Sequence, residues 1–390
     1  MEEATVLEQQ IVTPQPIIKE RNYGLDLLRI ISMLMVLICH VSNYSFLCGI
    51  IAEGSVQDII RRVLVAFSIV MINCYILTSS YFLVKQKFRL SRLFKLELIV
   101  VFWLAICCVI YAIRKVPDFW QNEFLIPFFP VVLRVFWFYS AYVGLCLVSP
   151  LLNILIRHMG KGLHLGACIM LVLMATILNN VMSFTNAFTF ADGYNMAWFV
   201  VLYFVGAYLR LHVNPDNIKV WVAILIYVLM SACIVGDWFL LEFLTKNNTW
   251  FGARFASSSP YNYNSIFVFL SSLAFFMIFL RVKIKTRPMK WIIKFTAPHV
   301  FAVYILDRGY IQNWQNELLY KWFNYPQLPF LQIFTVVIVL FMLRVLLDYL
   351  RSLLFLLFEK RNWYKNFLKN MDQFPYWVVN KLNKNEGENV

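Results

Sequence analysis

From Leu25 to Leu47 the chain is apolar and long enough to cross a bilayer as one helix. Yet that run carries Asp26 and Arg29 near its start and His40 toward its far end. Arg29 and His40 are eleven residues apart, three helical turns, so they share one face and stand roughly 16 Å apart along the axis. Met33 and Val36 fall on the same stripe. A charge inside a membrane helix costs a few kcal/mol, so it normally faces a bundle interior or a wet cavity. Two readings follow: Asp26 and Arg29 snorkel to the headgroups and His40 is a packing residue, or the stripe is a functional face.

Composition places this run among others like it. The chain is 61% hydrophobic and only 14% charged, where a soluble domain holds roughly 25% charged residues. The expectation is an all-α integral membrane protein, a bundle of about ten transmembrane helices near 25–47, 62–84, 93–113, 131–156, 163–184, 194–211, 218–243, 264–282, 297–315 and 328–357. Residues 1–21 read as a polar, disordered leader, 22–357 as the membrane domain, and 358–390 as an amphipathic, charged tail on the membrane surface. The first apolar run starts late and lacks a small-residue cleavage site, so it is expected to stay as a span rather than leave as a signal peptide.

The net charge of +14 would suggest nucleic acid in a soluble protein. Here the basic residues sit in short loops between apolar runs, which makes orientation and anionic membrane lipid their explanation and leaves no nucleic-acid partner. If the N-terminus is cytoplasmic, 24 lysines and arginines fall on inner segments and 8 on outer loops. That bias predicts both termini in the cytoplasm and a multi-pass protein of the plasma membrane. The eight cysteines show no CxxC and no zinc spacing, so neither a disulfide framework nor a metal site is expected.

RLSR at Arg89–Arg92 opens the third span. Arginines three apart share a helix face and can grip a phosphate by paired charge-assisted hydrogen bonds; an ordinary positive-inside loop is the plainer reading. With Arg29 at the same depth, the three would form a cationic pocket for a polyphosphate-bearing ligand, with His40 deeper in. His40 is the best candidate base, because imidazole titrates near neutrality. His158, His164 and His212 lie by inner loops, and His299 is ambiguous. There is no GxSxG elbow, no HExxH and no Gly-rich phosphate loop, so serine-hydrolase and nucleotide-hydrolysing chemistry have no support.

LDLLRIISMLMVLICH at 25–40 resembles the first-helix signature of the acyltransferase 3 family of membrane acyltransferases, which includes bacterial O-acetyltransferases of surface polysaccharides. RLSR resembles that family's RxxR element. INCYILTSSYFL at 72–83, FWFYSAYVGLCLVSPLLN at 136–153, YNMAWFVVLYFVGAYLR at 194–210 and FAVYILDRGY at 301–310 are further echoes, so the likeness runs over about 22–345. It implies transfer of an acetyl or similar short acyl group from cytoplasmic acetyl-CoA to a hydroxyl of a polysaccharide or lipid-linked oligosaccharide, without a metal, and alongside polysaccharide-synthesis proteins. Arg89, Arg92 and Arg29 would hold the donor, and His40, with Arg29 and Asp26, would serve the chemistry.

The family often has histidine where this chain has Asp307, after Tyr304-Ile305-Leu306. Asp307 either pairs with His40 or a basic residue, or is an interfacial carboxylate beside Arg308. Trp250 and Arg254, in the polar break 242–264, are candidate sugar contacts together with Tyr304 and Asp307. A glycan transporter or an export-complex subunit without acyl chemistry is the rival class.

Overall fold

A computed structural model describes residues 21–47, 49–115, 126–178, 190–247, 260–307, 309–322 and 328–387. Every regular element among them is helical: α1 (Tyr23–Leu47), α2 (Val56–Ser68), α3 (Met71–Leu83), α4 (Leu90–Ile113), α5 (Trp137–Arg157), α6 (Lys161–Leu173), α7 (Met196–His212), α8 (Val220–Lys246), α9 (Ile266–Arg281), α10 (Arg287–Thr296), α11 (Val300–Ile305), α12 (Gly309–Trp322), α13 (Pro329–Glu359) and α14 (Asn362–Gly387). Six helical stretches are long and apolar enough to cross a membrane: α1, α2 with α3, α4, α5, α8 and α13. The apolar helices over Lys161–Ile177, Met196–His212 and Ile266–Arg281 are shorter. The protein is therefore an all-helical membrane protein.

The interior is built where side chains are small enough, or polar pairs complete enough, to let helices close up. At Gly206 of α7 a Cβ would stand 2.7 Å from the Ser80 Cβ and 3.0 Å from the Leu77 carbonyl oxygen of α3, so these two helices touch backbone to backbone. Asn73 of α3 is fully buried. Its amide donates to the Tyr263 carbonyl (2.9 Å) and Ser272 Oγ (3.2 Å), and its carbonyl accepts from Trp198 Nε1 (2.9 Å). One side chain thus ties α3, α7 and the entry to α9, with every amide group satisfied, as a dry interior requires. α1 packs against α2, α3, α9 and α13, which places its Arg29–His40 stripe inside the bundle.

Among the described residues two expected spans are not single helices, and the first, 62–84, divides between α2 and α3. Residues 297–315 divide into the six-residue α11 and the separate α12. Pro298 stands between α10 and α11 and cannot continue a helix that precedes it. The apolar run stops at Leu306, and α12 is rich in Gln and Asn, so nothing favours extending α11 through the bilayer. The break leaves Asp307 at the end of α11, nearly fully buried. The tail is helical too: α14 lies on α4, with Phe367 edge-on to Phe94 at 5.3 Å.

Candidate functional site

The stripe on α1 lines a passage. At one end of the bundle is a cavity of about 840 Å³, its open mouth included, walled by Arg29, Ser79, Lys87, Arg89, Arg92 and Cys146 among others. A second cavity of about 640 Å³ follows, lined by Met33, Val36, Tyr75, Phe138 and Tyr304. Arg29, Ser79, Leu96 and Tyr142 line both, so Arg29 stands at their junction. Helical periodicity alone puts Arg29, Met33 and Val36 on this face. The α1 backbone is pinned there by Tyr75, whose hydroxyl donates to the Arg29 carbonyl at 2.8 Å. Asp26 lies 3.8 Å from the Arg29 guanidinium and accepts from Arg21 Nε at 2.5 Å, so it belongs to the group around Arg29 rather than to that around His40.

The basic mouth is made by the start of α4. Arg89 and Arg92 flank its first turn, where free backbone N–H groups and the helix dipole favour anions. A carboxylate already uses part of that potential. Asp372 of α14 accepts from Ser91 N and Ser91 Oγ, both at 2.9 Å. Arg92 hydrogen-bonds Gln86, and Lys95 reaches Glu359 at 3.2 Å. The C-terminal helices therefore brace the wall that carries the two arginines.

Beyond the passage, the far end of α1 meets the break after α11. His40 Nδ1 and Asp307 Oδ2 are 2.5 Å apart, and Asp307 Oδ1 is 2.8 Å from Arg344 Nη1 on α13. Arg344 also donates from Nε and Nη2 to Gln315 Oε1 of α12, at 3.2 and 2.8 Å. The side chains of Asp307 and Arg344 are 1% and 0% exposed, whereas that of His40 is 41% exposed. A buried carboxylate with a fixed counter-charge thus holds one imidazole nitrogen and leaves the rest of the ring accessible. This is the geometry of an oriented general base, in which the carboxylate selects the tautomer and steadies the imidazolium that forms. Of the two readings of Asp307, pairing with both His40 and a basic residue is the one the fold has.

Arg344 is a residue of this site that no motif in the sequence singles out. Its signal was local: Arg344, Asp348 and Arg351 fall at i, i+4 and i+7 and so share one face of α13. The other two belong to a second buried cluster. Asp348 accepts from His299 Nδ1 (2.7 Å), Arg351 Nε (2.5 Å) and Trp103 Nε1 (3.1 Å). All four residues are buried, which makes His299 a packed, partnered histidine. His164 is likewise buried, its Nε2 3.1 Å from the Phe204 carbonyl oxygen. Tyr304 lies on the passage, between Phe136 and Phe138 at ring distances of 5.6 Å each. Trp250 and Arg254 lie outside the described residues.

The acyltransferase 3 family, described as an acyltransferase domain, matches residues 22–349. No curated protein and no solved structure matches the chain.

Proposed function

The chain belongs to the acyltransferase 3 family and is a membrane acyltransferase, and we propose that it moves an acetyl or similar short acyl group from acyl-CoA to a glycan hydroxyl. The observation that carries this reading is the pair of adjoining cavities that run from the Arg89–Arg92 mouth past Arg29 to Tyr304, with the Asp307-held His40 on the same helix as Arg29. A donor with phosphates at one end and a thin thioester arm at the other suits a basic mouth followed by a narrow aromatic passage. The basic end then faces the cytoplasm, where acyl-CoA is made, and the His40 end faces the acceptor across the membrane. Both termini are cytoplasmic in this arrangement, and the plasma membrane of a bacterium is its natural setting.

In the reaction the acceptor oxygen bonds to the thioester carbonyl carbon and the C–S bond breaks. The acceptor proton passes to His40 Nε2 and from there to the departing thiolate. Asp307, accepting from Nδ1–H, keeps Nε2 free to take that proton, and Arg344 supplies the buried carboxylate with its counter-charge. Arg29, with Asp26 beside it, orients the thioester end of the arm. The acyl group reaches the hydroxyl either directly or after a stop on Nε2; acid-quenching the enzyme with labelled donor and looking for label on His40 separates the two routes.

The test is release of thiol and transfer of labelled acetyl from acetyl-CoA by the purified protein, with a membrane glycolipid extract as acceptor. Transfer is expected with wild type and not with His40→Ala. A protein that leaves the thioester intact with every acceptor fraction contradicts the reading and turns attention to glycan transport.

A further inference from the structure

At the His40 end of the bundle three chain segments converge that the acyl-transfer scheme has not used. They are the start of α5 at Trp137, the short 3-10 turn Ala191–Gly193 with Tyr194 after it, and residues Tyr261–Asn264 before α9. Their rings form one cluster. Trp137 and Tyr194 have centroids 4.5 Å apart, Tyr194 and Tyr263 are 4.9 Å apart, and Trp137 stacks on Tyr263 at 5.8 Å. Tyr263 is buried beneath, whereas Tyr194 is 38% exposed.

The backbone beside these rings is strained. Ala191, Asp192 and Gly193 have φ of +43°, +54° and +86°, three successive residues in the left-handed region. Two of them carry a Cβ, and such conformations persist only where the surroundings over-determine them. Here they do. Tyr263 N–H donates to the Asp192 carbonyl at 3.0 Å, and Asn262 Nδ2 donates to Asp192 Oδ1 at 2.9 Å. A Cβ on Gly193 would stand 2.6 Å from that of Tyr263, so the turn lies flat against the ring-bearing segment. The result is an exposed carboxylate and a buried amide fixed at the edge of the ring cluster, beside the exposed Tyr194 and the half-buried Trp137.

A membrane-anchoring belt is the obvious rival, since Trp and Tyr are common at bilayer interfaces. Belt rings face headgroups singly; these rings face each other and continue inward. Trp137 touches Phe199, and Phe138 touches Tyr304 of the passage at 5.6 Å. The cluster therefore adjoins the passage at Tyr304, three residues before Asp307.

We propose that the Trp137–Tyr194 ring pair, with the Asp192 carboxylate and the Asn262 amide, is a binding subsite for one pyranose ring. The apolar C–H face of the sugar stacks on the aromatic pair while its hydroxyls donate to Asp192. As an acceptor subsite this rests on the glycan reading above; as a sugar site it stands by itself.

The experiment is saturation-transfer NMR on the full chain in nanodiscs free of glycosidic detergent. The probes are methyl glycosides of glucose, galactose, N-acetylglucosamine, N-acetylgalactosamine and rhamnose. At least one is expected to receive saturation from wild type. Its dissociation constant should rise about tenfold or more in Tyr194→Leu and rise again when Asp192→Asn is added. Asp192→Asn alone guards against misfolding, because asparagine tolerates the left-handed backbone. Trp221→Ala, which removes an exposed ring at the start of α8, should leave binding unchanged. The proposal is overturned if no glycoside is saturated, or if binding is the same in Tyr194→Leu and Asp192→Asn as in wild type. Thioester consumption is read separately: sugar binding without it sinks the acyl reading alone, and consumption without sugar binding sinks this one alone.

Discussion

Asp307→Asn separates chemistry from stability at the centre of the site. The wild-type carboxylate lies between His40 at 2.5 Å and Arg344 at 2.8 Å, with almost none of it exposed. The amide is neutral, so Arg344 is left buried and facing Gln315 without a counter-charge. Removing one partner of a buried ion pair costs about 3–5 kcal/mol. The amide can also turn its NH2 toward His40 Nδ1, which moves the imidazole proton to Nε2, the nitrogen that must accept from the substrate. An oriented general base contributes roughly 10²–10⁴-fold, and the loss of turnover should fall in that range. The double variant Asp307→Asn/Arg344→Gln removes the orphaned charge as well. It should regain most of the lost thermal stability and none of the lost activity. The assay is thiol release from acetyl-CoA alongside a melting curve for each variant, read as a double-mutant cycle. If Asp307→Asn melts early but turns over at the wild-type rate, Asp307 is only the counter-ion of Arg344, and the oriented-base account is wrong.

Arg29→Ala should abolish turnover while the fold persists. Its side chain is 40% exposed and its ion pair with Asp26 is long at 3.8 Å, so its loss costs at most about 1 kcal/mol; near-normal turnover in folded protein would refute the role given to it. Gly206→Ala should destabilise by about 1–3 kcal/mol, because the new Cβ has no room against α3. Gly166→Ala, where nothing lies within 4 Å, should not, and a melting comparison of the two checks the α3–α7 contact. Asp372→Ala removes both acceptors at the start of α4 and should cost about 1 kcal/mol. Limited proteolysis of α14 would report the change, and an unaltered digest would show that Asp372 does not hold the tail.

What could be read in the sequence was what helical periodicity encodes. Arg29, Met33 and Val36 line the passage because their spacing puts them on one face, and Arg89 and Arg92 meet Arg29 because α1 and α4 present those ends at the same depth. The His40–Asp307 pair was open among alternatives, since its members are 267 residues apart and no local pattern ties them. Arg344 was missed although its spacing to Asp348 and Arg351 was visible, because a lone cation in an apolar run does not say what it faces. Hydropathy also joins 297–315 into one span, when the polar residues after Leu306 divide it. That division matters most, since it is what delivers Asp307 to His40. Composition points to Trp250 and Arg254 as sugar contacts, and these lie outside the described residues; the strained turn at Ala191–Gly193 has no sequence signature short of its backbone angles.

The most direct test of the account is thermal stabilisation by acetyl-CoA of wild type, His40→Ala and Arg89→Ala/Arg92→Ala. A ligand at a hundred times its dissociation constant stabilises the state that binds it by about 2.7 kcal/mol. The account predicts that acetyl-CoA raises the melting temperature of wild type and of His40→Ala, and leaves the double-arginine variant where it was. Stabilisation of none of the three, or of the double-arginine variant as fully as wild type, would contradict a CoA site at the mouth of this passage.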